Sequence, residues 1–355
     1  MKGTLSEDQR FLRDTVADLA AGIGVSRDST VADLERSDAW GTLVDAGYTQ
    51  AALADPTSSL LDLAVIVEEF GRHACRVPFL GSSVLATLLI SEVPEAGDLL
   101  GELVAGTRTA AIGLTPDLRN VADSGREHEV IAWDCGHSST VIALAASDSR
   151  LVVSENLGED IKSIDLTRKL RSCRGSTWSD LGQIDPEALR QWTAIAWTML
   201  AAEMVGIMAG ALGMAVAYAK DRHQFGKPIG AFQAVQHLCA DALVKVETAR
   251  SAVYATADLL EGGGEEGFEA AMVTKAYASR CVRSVTETAL QVHGGIGMTW
   301  EFPGHLFLRR GLLDAGTLGG EDALVLEIGA RLVSRGHETQ PVDGAVASDE
   351  ARAGE

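Results

Sequence analysis

From Leu5 onwards the apolar positions recur with helical spacing. In "LSEDQRFLRDTVADLAAGI", Leu5, Phe11, Leu12, Val16 and Leu19 fall near one stripe, and Ser6 ahead of Glu7 and Asp8 supplies a helix start. "SLLDLAVIVEEFGRH" is apolar nearly all round and predicts a buried helix. Between Gly106 and Gly182 the texture changes to short β-type runs, "TAAIGL", "EVIAWD", "TVIALAAS", "RLVVSE" and "IKSIDL", separated by Asp, Ser, Gly and Asn. These predict a compact antiparallel sheet. Asp185 and Pro186 then read as a cap and a first helical residue. Long helices follow at about 187–220, 229–262 and 267–291, broken by "GKPIG", "EGGGEEG" and "HGGIG". The polar, aperiodic stretch from His337 predicts disorder. The expected fold class is therefore α+β, mostly α. It comprises an N-terminal helical domain at 1–105, a short middle β domain at 106–184, a C-terminal domain of the four-helix-bundle type at 185–336, and a tail at 337–355.

Composition narrows the function. The chain has 355 residues, enough for more than one core, and a net charge of −20, which disfavours nucleic acid and anionic membrane surfaces as partners. An anionic ligand would have to be held by a few local arginines and backbone N–H groups. The apolar run from Ala194 to Ala202 stops short of the roughly 20 residues a membrane span needs. The start, "MKGTLSEDQRFLRD", carries no secretory pattern, so the cytoplasm is expected. Cys75, Cys135, Cys173, Cys239 and Cys281 are scattered without a CxxC pair, which argues against a zinc site or disulfide framework and reads as free core thiols.

Two motifs carry chemistry: "DRHQFGKPIGAFQAVQH" at 221–237 and "QVHGGIGMTWEFPGHLFLRR" at 291–310. On spacing alone Gly294 and Gly295 form a helix C-cap, Phe225 is a core residue and Arg222 a surface ion pair. Taken together, in this order and after helices and a β segment, the motifs make the chain resemble the acyl-CoA dehydrogenase family to about Arg335. The resemblance implies a flavoprotein in which FAD lies between two subunits, its flavin on one subunit's β domain and its adenosine-diphosphate arm on the neighbour's C-terminal domain. It further implies that Arg222 meets the pyrophosphate, that Gln224 and Phe225 line the adenosine arm, and that Gln233 adds a hydrogen bond. Gln291, Gly294, Gly295 and Gly297 would complete the cradle with exposed N–H groups. A planar guanidinium suits phosphate oxygens, and glycine lets backbone approach a ligand closely. His223, His237 and His293 read as structural.

The family's reaction takes a proton from the α-carbon of an acyl-CoA thioester while the β-hydrogen leaves as hydride, and it requires a carboxylate base. Counting from the glycine motif, the family's base position falls on Leu318, or on Gly319 after a one-residue slip. The alternative position, a Glu-Arg pair on the helix before the Arg222 motif, falls on Ala196 and Trp197. None of these accepts a proton, so no catalytic residue is expected. Glu203 is the nearest substitute, two turns beyond Ala196, and Glu321 and Asp322 are weaker ones. The flavin-binding Thr-Glu-Pro and Gly-Ser-Asp segments are also eroded: Thr115 is followed directly by Pro116 and Asp117. The resemblance thus points to the non-catalytic subunit type of actinobacterial α2β2 enzymes, which act on CoA esters of steroid side chains or ring fragments. It implies a catalytic acyl-CoA dehydrogenase subunit as partner and an electron-transferring flavoprotein as acceptor. Two alternatives remain: a self-sufficient homo-oligomer using Glu203 as base, and a flavin-free acyl-CoA-binding or scaffold protein.

Overall fold

Ser6 caps the first helix reciprocally: its Oγ accepts from the Gln9 N–H, and Gln9 Oε1 accepts from the Ser6 N–H. This starts α1 (Glu7–Ile23), and Ser59 with Asp62 repeats the device at α3 (Leu60–Arg72), after α2 (Ala39–Asp45). The computed structural model describes residues 5–26, 39–53, 59–125, 129–136, 138, 140–145 and 149–338. α3 is buried on nearly every side, as its composition predicts. A π-helical stretch, Phe79–Ala86, leads into α4 (Thr87–Ser91), and α5 (Gly97–Val104) follows.

Among the described residues seven strands form one sheet: β1 (Ala110–Leu114), β2 (Ile131–Trp133), β3 (Thr140–Leu144), β4 (Arg150–Ser154), β5 (Asp160–Ile161), β6 (Leu170–Ser172) and β7 (Ser179–Gln183), in the order β5-β6-β2-β1-β3-β4-β7. The sheet is mixed, not antiparallel throughout. β2 takes one edge of β1, so the chain crosses back before β3 joins the other edge running parallel to β1, with Ala110 opposite Thr140 and Ile112 opposite Ile142.

From Pro186 to Glu338 the chain is mainly helical: α6 (Pro186–Asp221), α7 (Gln233–Glu261), α8 (Glu265–His293), α9 (Gly304–Gly316) and α10 (Glu321–Glu338). Asp185 accepts from the Glu187 N–H at 2.7 Å and Pro186 opens α6. α6 is the central helix, packed against α3, α7, α8 and α9. Its contact with α3 is backbone to backbone: a Cβ at Gly206 would lie 1.9 Å from Glu68 O, and one at Gly71 would lie 2.4 Å from Glu203 O. Contrary to the sequence reading, α6 contains a window long and apolar enough to cross a membrane, but 72% of that window is buried inside this fold. Its apolarity comes from being surrounded by protein. α7 starts at Gln233 instead of 229 because Ile229–Ala231 form a 3-10 turn. α10 reaches Glu338, so the first two residues of the expected tail are helical, while 339–355 lie outside the described residues. All five cysteines are free, and four are buried.

Candidate functional site

α6 and α8 end side by side. The Tyr218 ring lies 4.7 Å from His293, which meets Phe302 at 4.3 Å, so the two motifs come to one end of the helical bundle. His293 is a packing residue with Nδ1 2.7 Å from Ala289 O, and His223 and His237 are exposed. Beyond Arg222, β8 (His223–Gln224) and β9 (Lys227–Pro228) form a two-residue hairpin closed by the Ile229 N–H bond to Arg222 O at 2.8 Å. Its turn residues, Phe225 and Gly226, both adopt left-handed backbone, φ 53° and 80°, as this turn class demands. A bulky residue there is strained by on the order of 1 kcal/mol. Phe225 gains nothing by burial in return: it is 92% exposed, with only an edge-on contact to Phe232 at 6.1 Å. It is not the core residue that spacing alone would make it.

The polar members of this surface are unengaged. Arg222, Gln224, Gln233 and Gln291 are exposed, and among the described residues none of their side chains makes a hydrogen bond or ion pair. Gly294 ends α8 at φ 64°, its N–H reaching Gln291 O and Leu290 O, so its C-cap role is real. Gly297 is explained by packing, since a Cβ there would meet Leu290 O at 2.7 Å. Gly295 is explained by neither: a Cβ there would meet nothing within 4 Å. The chain's own fold does not require this bare outward backbone.

A second assembly lies deep inside, where the sheet meets α6 and α9. Arg168, from the loop before β6, is fully buried with its guanidinium 4.3 Å over the Trp133 ring. Its Nη2 donates to Glu203 Oε2 at 2.8 Å, its Nη1 bonds Asp314, and its Nε pairs with Asp134 at 3.1 Å. Arg310 donates to Glu203 Oε1 at 2.6 Å and to Cys75 O at 2.7 Å. Asp134 Oδ2 accepts the Gly81 N–H at 2.8 Å, tying in the π-helical stretch. Burial opposes ionisation of Glu203, but the Arg168 and Arg310 guanidiniums outweigh it and hold its pKa down at about 2. A carboxylate held this way is a poor proton acceptor. Asp314 and Asp134 are pushed the other way, chiefly by burial.

A pH prediction follows with its sign. Glu203 has a folded-state pKa below the ordinary 4.5, so it contributes stability above pH 4.5 that is lost as pH falls towards 2. Asp134 and Asp314, shifted upward, act oppositely at higher pH. Thermal melts followed by circular dichroism should show the midpoint falling below pH 4.5. In Glu203→Gln that part of the profile should flatten.

The segments holding the family's two base positions are tied together. Trp197 Nε1 donates to Leu318 O at 2.6 Å, and the Leu318 N–H donates to Leu118 O at 2.8 Å. Leu318 sits at φ 56° and is 5% exposed, and Ala196 is wholly buried. Buried Lys275 ties down the same loop, donating to the carbonyls of Asp314 at 3.0 Å and Ala315 at 3.2 Å. Burial pulls its pKa down to about 7 despite nearby Asp314. Glu321 is engaged by Arg280 at 2.7 Å, and Asp322 is exposed on α10. The cavity between Asn120, Leu144, Thr193, Trp197 and Leu318 measures about 210 Å³, below the roughly 300–1,000 Å³ usual for small-molecule sites.

Sequence reasoning singled out Glu203 but missed Arg168, Asp134, Asp314, Arg310 and Lys275. Arg310 and Asp314 carried a signal: they stand four residues apart on a helix face otherwise made by Leu306, Phe307 and Leu313.

The C-terminal domain model of the acyl-CoA dehydrogenases matches residues 194–333. Acyl-CoA dehydrogenase IpdE2 of Mycolicibacterium smegmatis is 30% identical over 325 residues, covering 89% of this chain and 96% of that protein. The chain belongs to the acyl-CoA dehydrogenase family. These are FAD-dependent oxidoreductases acting on acyl-CoA. Among solved structures, a variant of the Tcur3481-Tcur3483 steroid ACAD is similar with a TM-score of 0.77 and 27% identity, covering 95% of this chain and 100% of that one. The ChsE4-ChsE5 complex from Mycobacterium tuberculosis has a TM-score of 0.81 at 20% identity over 94% of this chain and 99% of its own, a likeness of fold.

Proposed function

We propose that this chain is the non-catalytic subunit of a heteromeric acyl-CoA dehydrogenase, lending residues to an FAD whose flavin and base belong to a catalytic partner. One asymmetry carries the reading. The surface at the α6 and α8 ends is free for a ligand, whereas the interior beside the sheet is filled by the Arg168 and Glu203 ion cluster. Arg222 supplies an open cation for a pyrophosphate, Gln224, Gln233 and Gln291 supply amide donors and acceptors, and Phe225 offers a bare ring face to an adenine. Gly294 and Gly295 let that ligand approach the backbone, whereas Gly297, expected from the sequence to share in the cradle, is buried against Leu290 and serves packing. Bound FAD supplies hydride acceptance for the α,β-dehydrogenation. Leu318, Ala196 and the clamped Glu203 leave proton abstraction to the partner's carboxylate.

Two solved relatives, a steroid ACAD and a two-component complex, support an α2β2 assembly and a steroid-derived CoA ester as substrate. An electron-transferring flavoprotein is the acceptor in this reading. Co-expression with a catalytic acyl-CoA dehydrogenase subunit of the same organism, then counting flavin against protein, tests it. The expected result is one FAD per pair of unlike chains. One FAD per chain, or a flavin-loaded and active preparation of this chain alone, would overturn it.

A further inference from the structure

α10 packs onto α8 through Leu324, Ile328 and Arg331, the last lying 5.1 Å over the Phe268 ring. Its opposite face is apolar and uncovered: Val325, Leu326, Leu332 and Val333 are 51%, 74%, 63% and 61% exposed. With Gly329 they form one stripe along the helix. The stripe is the same read in either direction, because Val325 and Val333, and Leu326 and Leu332, are equidistant from Gly329.

Gly329 is unexplained by the chain's own packing. A Cβ there would meet nothing within 4 Å, and glycine inside a helix is less favourable than alanine. What glycine permits is close approach of a second backbone. Arg331 and Arg335, in the later turns of α10, face α8 and pair with Glu265 and Glu269, and Glu321 pairs with Arg280, so these charges hold α10 on its own chain and leave the stripe to apolar contact. Asp322 lies on the stripe itself, one heptad before Gly329. An antiparallel pair centred on Gly329 sets Val325 against Val333 and Leu326 against Leu332.

We propose that this stripe is covered by α10 of a second copy of this chain, the two helices crossing antiparallel on a two-fold axis at Gly329. The proposal is independent of which subunit carries the catalytic base. An isologous contact of this kind needs a self-complementary surface, and the symmetric order of valine, leucine, glycine, leucine and valine is one. A helix of 18 residues is about 27 Å long, and a pair of that length buries less than the roughly 1,600 Å² of a stable stand-alone interface. The contact therefore works within a larger assembly, and proximity is a better readout than mass.

Gly329→Cys is the decisive variant, because a thiol on a two-fold axis meets its own copy within the roughly 3.5–4.5 Å Cβ separation of a disulfide. Replacing glycine at an open helix position does not endanger folding. Ala323→Cys, exposed on α10 but off the stripe, is the control. The full chain, alone and co-purified with its partner, is oxidised mildly and run without reductant. The expected result is a reducible covalent dimer of this chain for Gly329→Cys only, lost when Leu326→Asp and Leu332→Asp are added. A dimer no stronger than the control, one indifferent to the two aspartates, or a cross-link solely to the unlike chain would overturn the proposal.

Discussion

Arg168→Met should lower the unfolding free energy of this chain by about 3–5 kcal/mol, the usual result of removing one partner from a buried ion pair. The guanidinium holds Asp134, Glu203 and Asp314 at once in a fully buried setting. Methionine fills much of the volume but leaves three carboxyls facing one another with Arg310 alone to balance them. The cost is mostly that of uncompensated charge. Adding Glu203→Leu should therefore recover a large part of the loss, because replacing buried ion pairs with apolar residues of similar volume is often neutral. Urea unfolding with an unchanged denaturant slope measures both variants. A loss below about 1 kcal/mol for the single variant, as for an exposed pair, would mean that the cluster does not bear on stability. Should the single variant fail to fold, the double variant still decides the matter by folding or not folding.

This cluster also distinguishes two meanings of a buried glutamate. From the sequence, Glu203 on an apolar helix two turns from a lost base position invites a catalytic reading. In the fold it is the acceptor for two arginines, one from the sheet region and one from α9. A general base near neutral pH needs its proton affinity raised or left alone. Glu203 has it lowered, by groups whose evident effect is to join the sheet region to the bundle.

How much was legible follows from the range of each interaction. α1 and α6 could be placed because Ser6 and Asp185 cap them within three residues, and α3 because its apolar pattern is local. The parallel pairing of β1 and β3 was not legible, since strand order is decided by where β2 returns rather than by either strand's composition. Arg222 and Gln291 could be marked as candidates because each sits in a contiguous motif. Arg168 could not: "LTRKL" has no period, and its partners Glu203 and Asp314 lie 35 and 146 residues away. The tie between Trp197 and Leu318 spans 121 residues and was equally invisible, although counting had already marked both positions as unable to take a proton.

Arg222→Ala, made in the complex of this chain with its catalytic partner, is expected to weaken FAD retention without weakening the fold. The second half of that expectation rests on geometry: the Arg222 side chain is exposed and pairs with nothing among the described residues, so its removal strands no buried group. The first half rests on the loss of a charge-assisted contact to phosphate, about 1.5–3 kcal/mol, or roughly 10- to 150-fold in dissociation constant. Arg222→Lys should fall in between, because an ammonium keeps the charge but not the planar fork. Flavin absorbance per protein after gel filtration, together with a melting curve of the flavin-free complex, separates binding from folding. Full flavin content and unchanged affinity in Arg222→Ala would show that the open cation at the end of α6 serves something other than the cofactor. A melting curve shifted as far as the affinity would instead make Arg222 a structural residue.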